Sequence, residues 1–337
     1  MSQVSLKSIA VIGDGGWGTT LAIHLARKGF PVILWGAFEE NIVQLRKTRE
    51  NKKFLAGYKI PKKVNLTSNL YQAVDNADLI LLATPSEYLE GVLSKLKGGN
   101  FKHKVFLSVV KGIHPKTHQR MSDLIYAYLG KVKLAVLSGP TIAGEVAAGI
   151  PTTAVVACAD KKIASTIQQM VHTDTFRIYT NQDIIGVEIG GSIKNVIALA
   201  CGMCDGLGLG TNAKAAIVTR GLAEITRLGV ALGGKRDTFY GLTGLGDLTT
   251  TCFSPHSRNR TVGESLGRGL SIKTILKSMP QVAEGVVTAK AVYHLAQKKH
   301  IPMPIVEQVY KIIFEGKNPQ QAMGDLLNRS IKAENGS

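Results

Sequence analysis

The chain has 337 residues, 45% of them hydrophobic, so it can bury a large core and exceeds what one compact domain usually holds. Four cysteines, no basic leader followed by an apolar core, and no run of the about 18 to 20 apolar residues that a membrane span needs argue against a secreted or integral membrane protein and favour the cytoplasm. A formal net charge of +17 leaves nucleic acid, an anionic membrane surface or small anionic ligands open as partners.

Short apolar runs alternate with helical stretches over the first half of the chain. Most of these runs are continuously apolar rather than alternating, which is typical of strands buried on both faces of a parallel sheet. We predict strands at residues 8–13, 32–35, 79–84, 104–110, 133–138, 152–157 and 176–180. The alternation indicates an α/β domain over residues 1–182, built as a Rossmann-like, doubly wound sheet.

After Thr180 the pattern changes to helical segments divided by glycine-rich loops. We predict helices at residues 183–202, 212–232, 258–268, 283–299 and 304–315. The second half, residues 183–337, is therefore expected to form an all-α domain that carries the substrate and the catalytic groups.

The first chemical motif is the glycine-rich segment 13–18 (GDGGWG), which follows the first predicted strand and opens a helix predicted over residues 19–28. Gly13 would permit a tight turn, Gly15 a close approach of backbone to a pyrophosphate, and Gly18 close packing of helix on strand. In this context the motif predicts a dinucleotide at the helix N-terminus.

The end of the second predicted strand bears on the choice between NAD and NADP. An acidic residue there would bind the ribose diol of NAD, and an arginine the extra phosphate of NADP. The sequence has Gly36, Ala37 and Phe38 before the two glutamates 39–40, so it supplies neither group directly. The absence of a basic residue favours NAD slightly.

Polar groups also follow the later strands, at residues 84–86, 111–112 and 138–141. Ligands of open α/β sheets bind outside the carboxyl ends of the strands, so Lys111 is a candidate ligand for a phosphate or a carbonyl. Further along, Lys194 lies in an otherwise apolar helix, where an amine without a role is costly. We interpret Lys194 as catalytic, the alternative being a surface lysine that reaches solvent. The small residues before it are expected to let cofactor or substrate approach the helix.

The segment 244–252 (GLGDLTTTC) is rich in hydroxyl and carboxylate groups and is predicted to be a loop, followed by 257–260 (SRNR) at a helix start. An arginine at a helix N-terminus suits a phosphate, so this region is predicted to bind a polyol phosphate. The pair Cys201 and Cys204 lies within a predicted helix without a second pair or a nearby histidine. No metal site is expected.

Together these motifs resemble the NAD(P)-dependent glycerol-3-phosphate dehydrogenase family, of the bacterial biosynthetic type, over nearly the whole chain. The segments that carry the resemblance are 13–18, 54–57, 111–112, 137–141, 186–195, 219–221, 244–251, 257–259 and 282–286. Three residues depart from the family's usual pattern: Asp14 replaces a small residue, Thr84 a valine, and Ala37 the arginine of many bacterial members.

With the motifs above, the resemblance implies a set of site residues. Lys194 would be the proton acceptor, with Lys111 and Asp247 beside it as further catalytic residues. The substrate site would comprise Lys111, Gly139, Thr141, Lys194, Asn195, Asp247, Thr251, Ser257, Arg258 and Asn259. The NAD(H) or NADP(H) site would comprise Gly13, Gly15, Gly16, Trp17, Gly18, Lys111, Ala143, Arg258, Val282 and Glu284.

The implied reaction interconverts dihydroxyacetone phosphate and sn-glycerol 3-phosphate by hydride transfer, which would supply glycerol 3-phosphate for phospholipid synthesis. A free lysine, with a pKa near ~10.4, is a poor base at neutral pH. Burial and the cationic Lys111 are expected to lower the pKa of Lys194, while Asp247 opposes that shift and orients the amine.

Two other classes stay open. A dehydrogenase of the 6-phosphogluconate or 3-hydroxyacid type usually places an asparagine farther from its lysine, whereas Asn195 adjoins Lys194. A non-enzymatic basic binding protein requires a clustered basic face, whereas the lysine pairs are scattered at 52–53, 62–63, 161–162 and 298–299. A solvated surface and no nucleic-acid partner are therefore expected. The sequence is compatible with a homodimer but does not settle the oligomeric state.

Overall fold

A computed structural model describes residues 6–279, 283–331 and 333–334. Over its first half, strands alternate with helices as the apolar runs predict. The strands are β1 (Ile9–Ile12), β2 (Val32–Trp35), β3 (Val64–Thr67), β4 (Leu79–Leu82), β5 (Val105–Ser108), β6 (Lys133–Ser138), β7 (Thr152–Ala157) and β8 (Phe176–Asn181). The helices between them are α1 (Gly16–Arg27), α2 (Glu39–Thr48), α3 (Leu70–Asp75), α4 (Ser86–Leu96), α5 (Met121–Leu129), α6 (Ala143–Ala148) and α7 (Lys161–Val171).

The strands form one eight-stranded sheet in the order β3-β2-β1-β4-β5-β6-β7-β8. Alternate residues of β1 face opposite cores: Ile9 and Val11 belong to one hydrophobic cluster, Ala10 and Ile12 to another. Burial on both faces explains why the strand sequences are continuously apolar. The Rossmann-like, doubly wound sheet is confirmed, and its strand order reverses between β1 and β4, where ligands of such sheets bind.

Two features of the sheet differ from the sequence prediction. Strand β3 was not predicted, because it is an edge strand in which the exposed Asn65 interrupts the apolar pattern between buried neighbours. All neighbouring strands are parallel except β6 and β7, which pair antiparallel, Val136 opposite Ala157. The sheet is therefore mixed rather than purely parallel.

The second half is helical, as predicted. Its elements are α8 (Ile184–Gly206), α9 (Gly210–Ala231), α10 (Arg236–Tyr240), a π-helical turn (Leu242–Gly246), α11 (Asp247–Phe253), α12 (Arg258–Gly267), α13 (Ile272–Ser278), α14 (Glu284–Lys298), α15 (Pro304–Glu315) and α16 (Pro319–Leu327). Helix α8 forms the centre of this half and is buried along almost its whole length.

Among the described residues, α8 alone is long and apolar enough to cross a membrane, whereas the sequence predicted no such segment. Its most apolar window is 89% buried inside the protein, as expected for a core helix. Its apolar character is therefore explained by packing against the surrounding helices.

Two buried carboxylates fix the helices of this half. Asp183 accepts hydrogen bonds from the backbone N–H of Gly186 at 2.8 Å and of Lys235 at 2.7 Å, and so ties the start of α8 to α10. Glu224 on α9 accepts from the backbone N–H groups of Ile305 at 2.7 Å and Val306 at 3.2 Å, and so caps α15. Burial raises the pKa of Glu224 to about 7, against the opposing effect of these hydrogen bonds.

Candidate active site

The glycine loop joins β1 to α1 at the point where the strand order reverses. Gly13 has φ +124°, and a Cβ there would lie 2.7 Å from the carbonyl oxygen of Ala83, so only glycine fits. A Cβ on Gly18 would overlap the carbonyl oxygen of Gly13. Helix α1 begins at Gly16, three residues before the predicted Thr19, with Gly15 as its N-cap.

The first turn of α1 fits the phosphates of a dinucleotide. No side chain caps this helix, so its N-terminal N–H groups are open to an anion. A Cβ on Gly15 would meet no atom within 4 Å, which leaves room for a ligand to approach the backbone. The loop is braced by Asn51, whose Nδ2 donates to the carbonyl oxygen of Asp14 at 2.7 Å and to Thr19 Oγ1 at 2.8 Å. Sequence reasoning missed Asn51, which has no motif of its own.

Two other predicted cofactor residues, Trp17 and Ala143, lie in or beside this loop. Trp17 packs edge-on against Phe176 at 6.4 Å between ring centroids, and its buried Nε1 has no hydrogen-bond partner among the described residues. Ala143 opens α6 beside the loop, and its carbonyl oxygen accepts from Thr20 Oγ1 at 3.1 Å. Glu284 opens α14, and Val282 lies outside the described residues.

Lys194 lies on α8 and is only 6% exposed, so it does not reach solvent. The turn of small residues before it, 190–192, allows α8 to contact the rest of the protein closely. A Cβ on Gly190 would lie 2.6 Å from the carbonyl oxygen of Thr243, and one on Gly191 would overlap Ser138 Oγ. The expectation that these residues admit a ligand is therefore wrong, because protein atoms fill the space beside them.

Asp247 holds two lysines together in the interior. Lys194 Nζ donates to Asp247 Oδ1 and, at 2.6 Å, to Thr251 Oγ1. Lys111 Nζ donates to Asp247 Oδ2 at 2.7 Å and to the carbonyl oxygen of Gly139 at 3.1 Å. Asp247 is 1% exposed, so the carboxylate is shielded from water while it bridges two ammonium groups.

The environment lowers the pKa of Lys194 to about 8. Burial is the main cause, because it penalises the charged amine, and the neighbouring Lys111 acts in the same direction. Asp247 opposes both effects through its charge and its hydrogen bond. Lys194 can therefore exist as ammonium or as amine near neutral pH, as proton transfer requires.

The segment around Asp247 was predicted to be a loop, and this is wrong. It consists of the π-helical turn Leu242–Gly246 followed directly by α11. A Cβ on Gly244 would overlap backbone of Phe239, so the turn packs too tightly for a larger residue. The helical conformation aligns Asp247 with Thr251, four residues later, so that both face Lys194.

Helix α12 brings its N-terminal residues to the same place. Arg258 is exposed at the first position of α12. Burial raises the pKa of the Glu284 carboxyl, and the nearby charge of Arg258 partly opposes that shift. Asn259 is buried, and its Oδ1 accepts from the backbone N–H of Gly285 at 2.9 Å, which leaves its Nδ2 as a donor. Ser257 is the N-cap and accepts from the backbone N–H of Arg260 at 3.3 Å.

Glycines on both helices let α12 cross α8 at backbone contact. A Cβ on Gly202 would overlap the carbonyl oxygen of Arg260, and one on Gly263 would overlap that of Leu199. A second pair one turn on, Gly206 and Gly267, does the same. This crossing fixes the distance between Lys194 and the start of α12.

The remaining predicted residues lie nearby. Gly139 supplies the carbonyl that Lys111 binds, and Thr141 Oγ1 donates to that same carbonyl at 3.2 Å. Asn195 is buried beside Lys194 on α8. Three other buried hydroxyl groups, those of Thr84, Ser138 and Thr288, have no hydrogen-bond partner among the described residues.

Thr288 was not predicted, because a threonine on an amphipathic helix gives no signal in the sequence. Among the described residues, no group of three or more His, Cys, Asp or Glu side chains could hold a metal ion. Cys201 and Cys204 are buried within α8. The arrangement can thus bind an anion at α1, transfer a proton through Lys194, and bind a second anion beside Arg258.

Comparisons with known proteins agree with this geometry. The family model for the NAD-dependent glycerol-3-phosphate dehydrogenase N-terminus matches residues 8–164, and the model for the C-terminus matches residues 183–324. The glycerol-3-phosphate dehydrogenase [NAD(P)+] of Chlorobium limicola is 48% identical over 329 residues, covering 97% of this chain and 99% of the relative.

Solved structures give the same result. The crystal structure of glycerol-3-phosphate dehydrogenase from Coxiella burnetii superposes with a TM-score of 0.93 at 38% identity, covering 96% of this chain and 99% of that one. The enzyme from Saccharomyces cerevisiae superposes with a TM-score of 0.82 at 29% identity, covering 96% and 99%. These full-length matches decide between the classes that the sequence left open: the chain belongs to the NAD-dependent glycerol-3-phosphate dehydrogenase family.

Proposed function

We propose that the chain interconverts dihydroxyacetone phosphate and sn-glycerol 3-phosphate with NAD(H) or NADP(H), and that Lys194 transfers the proton. The observation that carries this assignment is the buried cluster of Lys194, Asp247 and Lys111. A buried lysine with a pKa of about 8 has no structural purpose that an apolar residue would not serve better.

The glycine loop and the N-terminus of α1 would hold a nicotinamide dinucleotide, which when bound would supply hydride for reduction and accept it in oxidation. In reduction, Lys194 as ammonium donates a proton to the carbonyl oxygen, and in oxidation its amine accepts the hydroxyl proton. Asp247 and Thr251 hold the amine in one orientation. Lys111 stabilises negative charge that develops on the substrate oxygen.

The start of α12 binds the phosphate of the substrate. Arg258 presents a planar guanidinium there, and Asn259 adds an Nδ2 donor whose orientation Gly285 fixes. The N-terminal backbone groups of α12 contribute positive potential of the same sign. In this proposal residues 1–182 supply most of the dinucleotide site and residues 183–337 most of the substrate site, to which the first half also contributes Lys111.

A substrate panel tests the assignment. Oxidation of NADH, followed by its absorbance, is expected with dihydroxyacetone phosphate and much slower with unphosphorylated dihydroxyacetone, because Arg258 then has no anion to bind. Reduction of NAD is expected with sn-glycerol 3-phosphate and not with 6-phosphogluconate or 3-hydroxy acids. Faster turnover of either of the last two substrates would contradict the proposal.

The proposal extends to the setting of the enzyme. A cytoplasmic enzyme of this activity supplies glycerol 3-phosphate for phospholipid synthesis, and a homodimer is its proposed assembly. Sedimentation equilibrium tests the assembly, and a monomeric mass at micromolar concentration would contradict it. An electrophoretic mobility shift with duplex DNA tests the expectation that the net positive charge serves no nucleic-acid partner.

A further inference from the structure

The end of β2 carries no carboxylate of its own, but a carboxylate of the glycine loop lies beside it. Asp14 extends from this loop toward Gly36, the residue that directly follows β2. A Cβ built on Gly36 would lie 2.6 Å from Asp14 Cγ. The carboxylate of Asp14 therefore occupies the volume that a side chain at position 36 would take.

That position is where Rossmann folds distinguish the two nicotinamide cofactors. An acidic group at the end of the second strand hydrogen-bonds the ribose 2′-hydroxyl of NAD, whereas a cation there accommodates the 2′-phosphate of NADP. In this chain Gly36 and Ala37 carry neither group. Asp14 is instead the carboxylate that lies beside Gly36.

The structure holds Asp14 in place while leaving it accessible. Asn41 Nδ2 donates to its Oδ2, and Asn51 Nδ2 donates to its backbone carbonyl at 2.7 Å. The residue is only partly buried, and the hydrogen bond from Asn41 orients its carboxylate. The carboxylate is thus held in one place and keeps part of its surface accessible to a ligand hydroxyl.

We propose that Asp14 is the residue by which this chain selects NAD(H) over NADP(H). Its Oδ1 accepts a hydrogen bond from the 2′-hydroxyl, and its negative charge repels a 2′-phosphate. Lys53 is a cation whose charge interacts with Asp14, and it weakens this repulsion without replacing the hydrogen bond. The inference rests on the proposed function only in taking a nicotinamide dinucleotide as the ligand.

Binding measured without substrate tests the proposal. The affinities of NADH and NADPH are titrated by nicotinamide fluorescence on the parent and on Asp14→Asn, which keeps the shape and removes the charge. The parent is expected to bind NADH at least about tenfold more tightly, and the Asn variant to narrow that ratio at least about fivefold, mainly through tighter NADPH. Glu40→Gln, which neutralises an exposed carboxylate at the start of α2, is the matched control and should leave the ratio unchanged.

The proposal is overturned if the parent binds NADPH as tightly as NADH, or if the Asn variant leaves the ratio within about twofold of the parent. Should that variant fail to fold, Asp14→Ser carries the same comparison with a small polar residue. If the parent does not discriminate between NADH and NADPH but still turns over dihydroxyacetone phosphate, the proposal for Asp14 fails and the proposed function stands. Normal discrimination without turnover contradicts the proposed function instead.

Discussion

Replacing Asp247 by asparagine tests how the charge of one buried carboxylate sets the pKa of Lys194. The variant keeps a carbonyl oxygen for the hydrogen bond but removes the negative charge between two ammonium groups. Reduction of dihydroxyacetone phosphate needs Lys194 as ammonium. The kcat/KM of the parent should therefore fall as pH rises through about 8.

The size of the effect follows from the geometry. With about 4 Å between the charges and an effective dielectric constant of about 20, a carboxylate favours an ammonium by about 4 kcal/mol. The hydrogen bond that asparagine retains, together with the one to Thr251, offsets part of this loss. We expect the pKa of Lys194 to fall by about one to two units, at about 1.4 kcal/mol per unit.

The assay is the pH dependence of kcat/KM for reduction, measured from pH 5 to pH 10. Glu224→Gln is the matched control, because Glu224 is also a buried carboxylate, with a pKa of about 7, and lies outside the candidate site. In Glu224→Gln the kcat/KM should fall at the same pH as in the parent, about 8. An unchanged limb in Asp247→Asn, or a shift to higher pH, would refute the reasoning.

Three further predictions concern the phosphate site, the helix crossing and the buried glutamate. Arg258→Ala should lower kcat/KM for dihydroxyacetone phosphate by about 2 to 4 kcal/mol of transition-state stabilisation, because the phosphate loses its guanidinium. Steady-state kinetics measure this loss, with Arg268→Ala as the control because Arg268 is an exposed arginine at the end of the same helix. Equal losses of kcat/KM in both variants would remove Arg258 from the site. Gly263→Ala should destabilise the protein by about 1 to 3 kcal/mol in urea denaturation, because its methyl group overlaps α8. Gly91→Ala, whose Cβ would enter open space, should be neutral or stabilising, so equal denaturation midpoints for the two variants would contradict the helix-crossing argument. The pKa of Glu224 is raised from 4.5 to about 7, so its contribution to stability is present below pH 4.5 and is lost as pH rises through 7. This group should lower the free energy of unfolding by up to about 3 kcal/mol over that interval, and urea denaturation at several pH values should show a flatter dependence for Glu224→Gln.

The elements that could be predicted from the sequence are those whose local pattern of apolar and charged residues identifies them. The buried strands β1 and β4 are continuously apolar and β5 is apolar up to Ser108, so their positions follow from the local pattern. Lys194 stands out for the same reason, since a charged residue within an apolar helix is costly wherever that helix packs. Its pairing with Asp247 was expected from the family resemblance.

Features that depend on contacts between distant segments could not be predicted. Strand β3 lies at the edge of the sheet, and its exposed Asn65 breaks the apolar pattern. The segment after Leu242 is rich in glycine and hydroxyl groups, so local propensity favours a loop, whereas in the structure it is helical and Gly244 packs against the backbone of Phe239. The contacts of Gly202 with α12 and of Asp14 with Gly36 join residues far apart in sequence, which no local pattern reveals.

The central claim is that Lys194 transfers the proton, and the turnover of Lys194→Met tests it most directly. Methionine fills a similar volume without charge, and Asp247 keeps Lys111 as a partner at 2.7 Å, so the variant should fold and bind NADH normally. Turnover of dihydroxyacetone phosphate should fall by ~10² to ~10⁴, and the limb of the pH profile near 8 should disappear. Activity within about fivefold of the parent, in a variant shown by circular dichroism to be folded, would contradict the claim.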